Sequence, residues 1–194
     1  MARVSLLRRL AWTSSAIVLG AASGGAALAC DHSIALSGSA STGDVSNGGS
    51  IGCVTVSDHA VVNGNVVNEA PGKIGAASSK PETGISVDNA TINGAIVNSG
   101  VINAGGAAIS VTGSSVVTDG IKNEGGATVN TTGDTAAPGG EGGRAVGIAV
   151  SGGRFFGGIT NTGTITVIGG RSRATGIGVG GPTTDERQRQ APEQ

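Results

Sequence analysis

Tyrosine is absent from this 194-residue chain, tryptophan occurs once and phenylalanine twice. Trp12 lies near the N-terminus, so beyond residue 30 the only such rings are Phe155 and Phe156. Aromatic side chains carry much of the burial in ordinary compact domains, so a core here must be built from Val, Ile and Ala. Charge is scarce as well: 13% of residues are charged, the formal net charge is −1 and no block of Lys or Arg occurs. Nothing in that balance suits a nucleic-acid partner. His32 and His59 have no matching Cys or His at zinc spacing. There is no G-x-S-x-G elbow, and the string from Gly176 to Gly181 is neither G-x-G-x-x-G nor followed by a P-loop lysine. Gly139 to Gly143 lacks the Asp of calcium-binding nonapeptides. The expectation is therefore a chain with no catalytic residue, no cofactor and no metal.

What is present begins with Arg3, Arg8 and Arg9, an apolar run from Leu10 to Ala22, and small residues ending in Ala27-Leu28-Ala29. A basic head, a short apolar middle and an A-x-A site read as a secretory signal peptide over residues 1–29. The run is too short for the roughly 20 residues of a spanning helix. No transmembrane segment is expected in the mature chain. Cys30 follows the site directly, and Cys53 is the one other cysteine. Even parity in an exported chain predicts a Cys30–Cys53 disulfide, closing a loop of about 24 residues and contributing on the order of 3 kcal/mol. A lipoprotein acylated at Cys30 is the competing reading; such sites usually carry Leu three residues earlier, where this chain has Ala27.

Glycine is abundant, with 37 residues, yet there is no collagen triplet. A composition this rich in Gly, Ser, Thr and Asn would suit disorder, but the aliphatics recur in a frame. Four stretches align: Val54 to Asn68, Ile85 to Asn98, Ile109 to Asn123 and Ile148 to Asn161. Each opens with aliphatic-x-Val. Val61, Ile92, Val116 and Phe155 are read as the next bulky position, followed by Val66, Ile96, Ile121 and Ile159, and two residues later by Asn68, Asn98, Asn123 and Asn161. A further unit starts at Gly176-Ile177-Gly-Val179. Repeats of this length with short alternating strands signal a solenoid, in which Val54 and Val56 face inward while Thr55 faces out.

The recurrent asparagines predict a ladder at a corner, each amide donating to one neighbour and accepting from the other, as in cross-β stacks. Two segments interrupt the frame, Gly72 to Thr83 and Thr132 to Arg144, and read as side loops that are candidate contact surfaces. The domain reading is a signal peptide over 1–29, a cap segment over 30–53, solenoid repeats over 54–181 and a polar disordered tail over 182–194.

Coils of the form Gly-Ile-x-Val, followed by Gly-Gly-Ile159-Thr-Asn161-Thr-Gly163-Thr-Ile165, resemble the passengers of bacterial autotransporters. The resemblance spans about residues 51 to 180 together with the signal peptide. It implies an all-β, right-handed parallel β-helix of about four coils, displayed at the cell surface or outer membrane and engaged in adhesion, aggregation or host contact. The C-terminal translocator barrel of that family needs many amphipathic strands with aromatic girdles, and the segment Gly181 to Gln194 offers none. A separate or downstream β-barrel is then required for surface display, and without it the periplasm is the expected location. The possible partners are a host surface, another cell or a second copy.

The rival to this exported structural module is a carbohydrate-active β-helix enzyme, which needs convergent carboxylates. Asp58, Asp88, Asp119 and Glu124 are instead spread over different units. Asp58 and Asp88 are read as sharing one frame position.

Overall fold

The computed structural model describes residues 30, 32–75, 81–133, 144–169 and 173–180. The expected signal peptide over 1–29 and tail over 182–194 lie outside the described residues, as do 76–80 and 134–143 of the two interruptions. The described residues are all-β, with no helix.

The strands fall into layers. The first holds β1 (Ile34–Leu36), β2 (Ser41–Thr42), β3 (Val45–Asn47) and β4 (Ser50–Ile51). The second holds β5 (Val54–Ser57), β6 (Val61–Val62), β7 (Val66–Asn68) and β8 (Lys73–Ile74). The third holds β9 (Thr83–Asp88), β10 (Thr91–Ile92), β11 (Ile96–Asn98) and β12 (Val101–Ala104). The fourth holds β13 (Ala107–Thr112), β14 (Val116–Val117), β15 (Ile121–Asn123) and β16 (Thr128–Thr132). The fifth holds β17 (Ala145–Ser151), β18 (Arg154–Phe155), β19 (Ile159–Asn161) and β20 (Thr164–Ile168), after which β21 (Ala174–Gly180) returns to the position of β17.

No strand pairs with its neighbour in the chain. Each pairs in parallel with its counterparts one layer before and after, which makes one six-stranded sheet, β1-β5-β9-β13-β17-β21, and three five-stranded sheets. The chain therefore visits four parallel sheets in a fixed order, an arrangement consistent with a β-solenoid. Strand alternation then stacks like on like at about 4.8 Å. In the first sheet Val54, Ile85, Ile109 and Ile148 form one inward row, and Val56, Val87, Val111 and Val150 the next. In the fourth, Ile51, Ile74, Ile102, Val129 and Ile165 align. These rows form one buried cluster with Ile51 and Ile165 partly buried against it, each fully buried aliphatic contributing about 2 kcal/mol.

The second sheet and residues 34–51 differ from the sequence frame. The inward row of the second sheet is Val62, Ile92, Val117 and the partly buried Phe155, while Val61 and Val116 stand beside Thr91 and Arg154 in the outward row. Val61-Val62 and Val116-Val117 are adjacent valines, so alternation alone fits either phase. Within the segment expected as a cap over 30–53, residues 34–51 form a layer of strands in register with the second. Polar Ser41-Thr42 and Ser50 masked that frame, because Thr42 occupies the row filled elsewhere by Val62 and Ile92.

The corner between the first and second sheets needs left-handed backbone in several layers. Asp58 (φ 54°), His59 (φ 69°) and Asn89 (φ 51°) supply it in the second and third, and Gly113 (φ 64°) in the fourth. These are residue types that tolerate this region, Asn and Asp by local hydrogen bonding and Gly for want of a Cβ.

Candidate functional site

The third sheet carries a regular polar feature among the described residues. Asn47, Asn68, Asn98, Asn123 and Asn161 align in one row. Nδ2 of each of the first four donates to Oδ1 of the next, at 2.8, 2.8, 2.7 and 2.7 Å. The same nitrogens also reach backbone carbonyls where the fourth sheet begins one layer on: Lys73 at 3.4 Å, Val101 at 3.3 Å, Thr128 at 3.5 Å and Thr164 at 3.4 Å. Both hydrogens of each amide are thus used. Oδ1 of Asn47 accepts the Gly49 N–H at 3.1 Å, so the ladder starts on an oxygen and points its donors toward the C-terminal layers. Asn68 and Asn98 are wholly buried while Asn161, the last rung, is exposed.

Asn47 is the rung that the repeat alignment does not include. Its signal is present, since Val45-x-Asn47 repeats the aliphatic-x-Asn of Val66-x-Asn68, but a Ser- and Gly-rich segment surrounds it. Glycines make room for the ladder: a Cβ on Gly100 would overlap the Gly72 carbonyl oxygen and lie 2.8 Å from Nδ2 of Asn68.

Cys30 and Cys53 form a disulfide with a Cα–Cα distance of 5.7 Å. Cys53 is buried and Cys30 half-buried. A sulfur already in a disulfide has no valence left for the thioether of a lipoprotein, so this oxidised chain and a chain acylated at Cys30 are mutually exclusive species. Backbone bonds run beside the bridge, from Ile34 N–H to the Cys53 carbonyl at 3.0 Å and from Gly52 N–H to the His32 carbonyl at 3.1 Å.

Asp88 and Glu124 accept hydrogen bonds from hydroxyls of the adjacent layers. Asp88 lies opposite Ser57, not Asp58, because the register that aligns Val54 with Ile85 carries Ser57 to Asp88. The shared position expected for Asp58 and Asp88 is thereby corrected by one residue. Asp88 accepts hydrogen bonds from Thr112 Oγ1 at 2.8 Å and Asn89 Nδ2 at 3.2 Å, and Glu124 accepts one from Ser99 Oγ at 2.6 Å. Among the described residues no group of three or more His, Cys, Asp or Glu is placed to hold a metal ion. The first interruption, expected from Gly72 to Thr83, is corrected at its start, because Lys73–Ile74 is the fourth-sheet strand β8; what remains of each interruption connects a strand of the fourth sheet to the next strand of the first.

What this arrangement does chemically is hold shape, through amide, hydroxyl and backbone hydrogen bonds in register. No helix among the described residues is long and apolar enough to cross a membrane. Comparisons with protein-family models, curated proteins and solved structures give no match.

Proposed function

We propose that this chain is an exported, non-catalytic β-solenoid module with a structural and surface-contact role, comparable to the passenger of a bacterial autotransporter. The observation that supports this reading best is the register of the stack. Four parallel sheets are lined by aliphatic rows, the third also by an asparagine ladder, which leaves long outer faces of short side chains. Thr55, Ser86, Ser110 and Ala149 form one such row on the first sheet. Repeating faces of this kind suit contact along their length with a host surface, another cell or a second copy.

The finer parts of the reading rest on two supports: the N-terminal pattern for a signal peptide cleaved before Cys30, and the resemblance to autotransporter passengers for right-handed winding and a separate or downstream β-barrel for surface display. The disulfide supports an oxidising destination.

Fractionation of a two-membrane bacterium expressing the full chain tests this. The expected product starts at Cys30, carries no free thiol, sits in the periplasm when no translocator is present and becomes protease-accessible on intact cells when one is supplied. Full-length chain retained in the cytoplasm would overturn the export reading. Sustained turnover of any polysaccharide in a panel would overturn the non-catalytic one.

A further inference from the structure

The Cys30–Cys53 bridge encloses one complete layer: Cys30 precedes β1, Cys53 follows β4, and the bond closes the chain between them into a ring. That layer is the least well filled of those it resembles. Leu36 and Val45 are buried, but Ile34 and Ile51 are only partly so, and Thr42 stands where the next layers place Val62 and Ile92. The third layer, by contrast, fully buries Ile85, Val87, Ile92, Ile96 and Ile102. A terminal repeat also has a stacking neighbour on one side only, and such elements open first.

We propose that the first layer is a redox-conditional cap, held on the stack by the Cys30–Cys53 bond and released when that bond is reduced, without unfolding of the layers behind it. A dithiol reductant breaks the S–S bond by attack at a cysteine sulfur, through a mixed disulfide. Two electrons and two protons pass to the cysteines, giving two thiols, and the dithiol leaves as its own cyclic disulfide. Opening the ring returns the conformational freedom of residues 30–53 that the bond had removed.

Release has a defined consequence at the second layer. The first layer accepts the N–H groups of Val61, Asn63, Glu69 and Lys73 on the carbonyls of Ala40, Thr42, Asn47 and Gly49, at 2.7–2.9 Å. With it gone, β5 to β8 become the end of the stack, presenting the Val56, Val62, Val66 and Ile74 row that is now wholly covered. Such an edge is a template for pairing with another chain. Reducing conditions thus expose an apolar, strand-accepting end, and oxidising conditions close it.

Hydrogen exchange read by mass spectrometry on the full chain, oxidised and then reduced and thiol-blocked, tests the proposal. Expected on reduction is a loss of protection of tenfold or more at the amides of Ile34, Val45, Val61, Asn63, Glu69 and Lys73. Ser99, Val101, Glu124 and Thr128, which donate between later layers, should be unchanged, and binding of an apolar dye should rise. The unreduced double variant Cys30→Ser, Cys53→Ser should reproduce the pattern. Unchanged protection in the first layer would overturn the proposal, because the layer then holds itself. Protection lost evenly across residues 34–168 would overturn it equally, because the bond then holds the whole fold.

Discussion

Nδ2 of Asn98 lies 2.7 Å from Oδ1 of Asn123, and both side chains are buried in the interior of the stack. Asn98 also accepts from Asn68 at 2.8 Å, so one side chain serves the layers before and after it. Replacing Asn98 by Leu strands a donor on Asn68 and an acceptor on Asn123, each costing about 1–3 kcal/mol when buried and unpaired. Urea denaturation should show the full chain destabilised by about 2–5 kcal/mol for Asn98→Leu. The same change at Asn161, an exposed rung with one ladder partner, should cost under about 1 kcal/mol. Equal effects at the two positions would show that the ladder does not act through burial.

Gly100 is enclosed by backbone, since a Cβ there would overlap the Gly72 carbonyl oxygen and approach the Glu69 carbonyl oxygen to 2.8 Å. Gly100→Ala should therefore lower stability by about 1–3 kcal/mol, the usual cost of overpacking. Gly125 is the matched control, because nothing lies within 4 Å of a Cβ built on it. Gly125→Ala should be neutral, or stabilise by up to about 1 kcal/mol through the unfolded chain. In the fourth layer Ala127 precedes Thr128, the register partner of Val101, after a turn lengthened by Gly125-Gly126.

Thr131 is buried between Ala104 and Val167 in the fourth sheet, and its hydroxyl has no hydrogen-bond partner. Valine has nearly the same shape without the hydroxyl, so Thr131→Val should raise the thermal midpoint, with a gain of about 1 kcal/mol. Ser115 makes the opposite case, as its hydroxyl donates to the Thr112 carbonyl at 2.6 Å. Ser115→Ala should destabilise by about 1 kcal/mol, and calorimetry on the two variants should show midpoints moving in opposite directions.

Phe156, Ile168, Ile177 and Val179 are the exposed large hydrophobic residues of the described chain, and all lie toward the C-terminal end of the stack. Exposed apolar strand edges promote association. Ile177→Lys with Val179→Lys should leave the thermal midpoint within a few degrees and reduce concentration-dependent association in sedimentation velocity. Association unchanged by the two lysines would place its cause elsewhere on the molecule.

Several features of this stack were legible in the order of residues. The inward rows follow from Val54-x-Val56, Ile85-x-Val87, Ile109-x-Val111 and Ile148-x-Val150, and the ladder from Asn68, Asn98, Asn123 and Asn161, because each Asn follows its aliphatic at the same short spacing. The cysteine pairing followed from there being only two. Register past a corner was not legible. Asp58 and Asp88 were displaced by one residue, and the valine pairs at 61–62 and 116–117 fitted both phases. Corners vary in length, and residue counting across them carries no geometric information.

By itself, then, the sequence determined the period-two alternation, the recurrence of the asparagine and the poverty of aromatics that forces an aliphatic core. These are local properties, encoded within a few residues of one another. Only the tertiary structure decided that residues 34–51 form a layer of strands in register with the second, that Asn47 begins the ladder, and that the disulfide rings that whole layer. Each of these depends on which strand lies beside which, and that pairing is settled by hydrogen bonds between residues twenty or more positions apart.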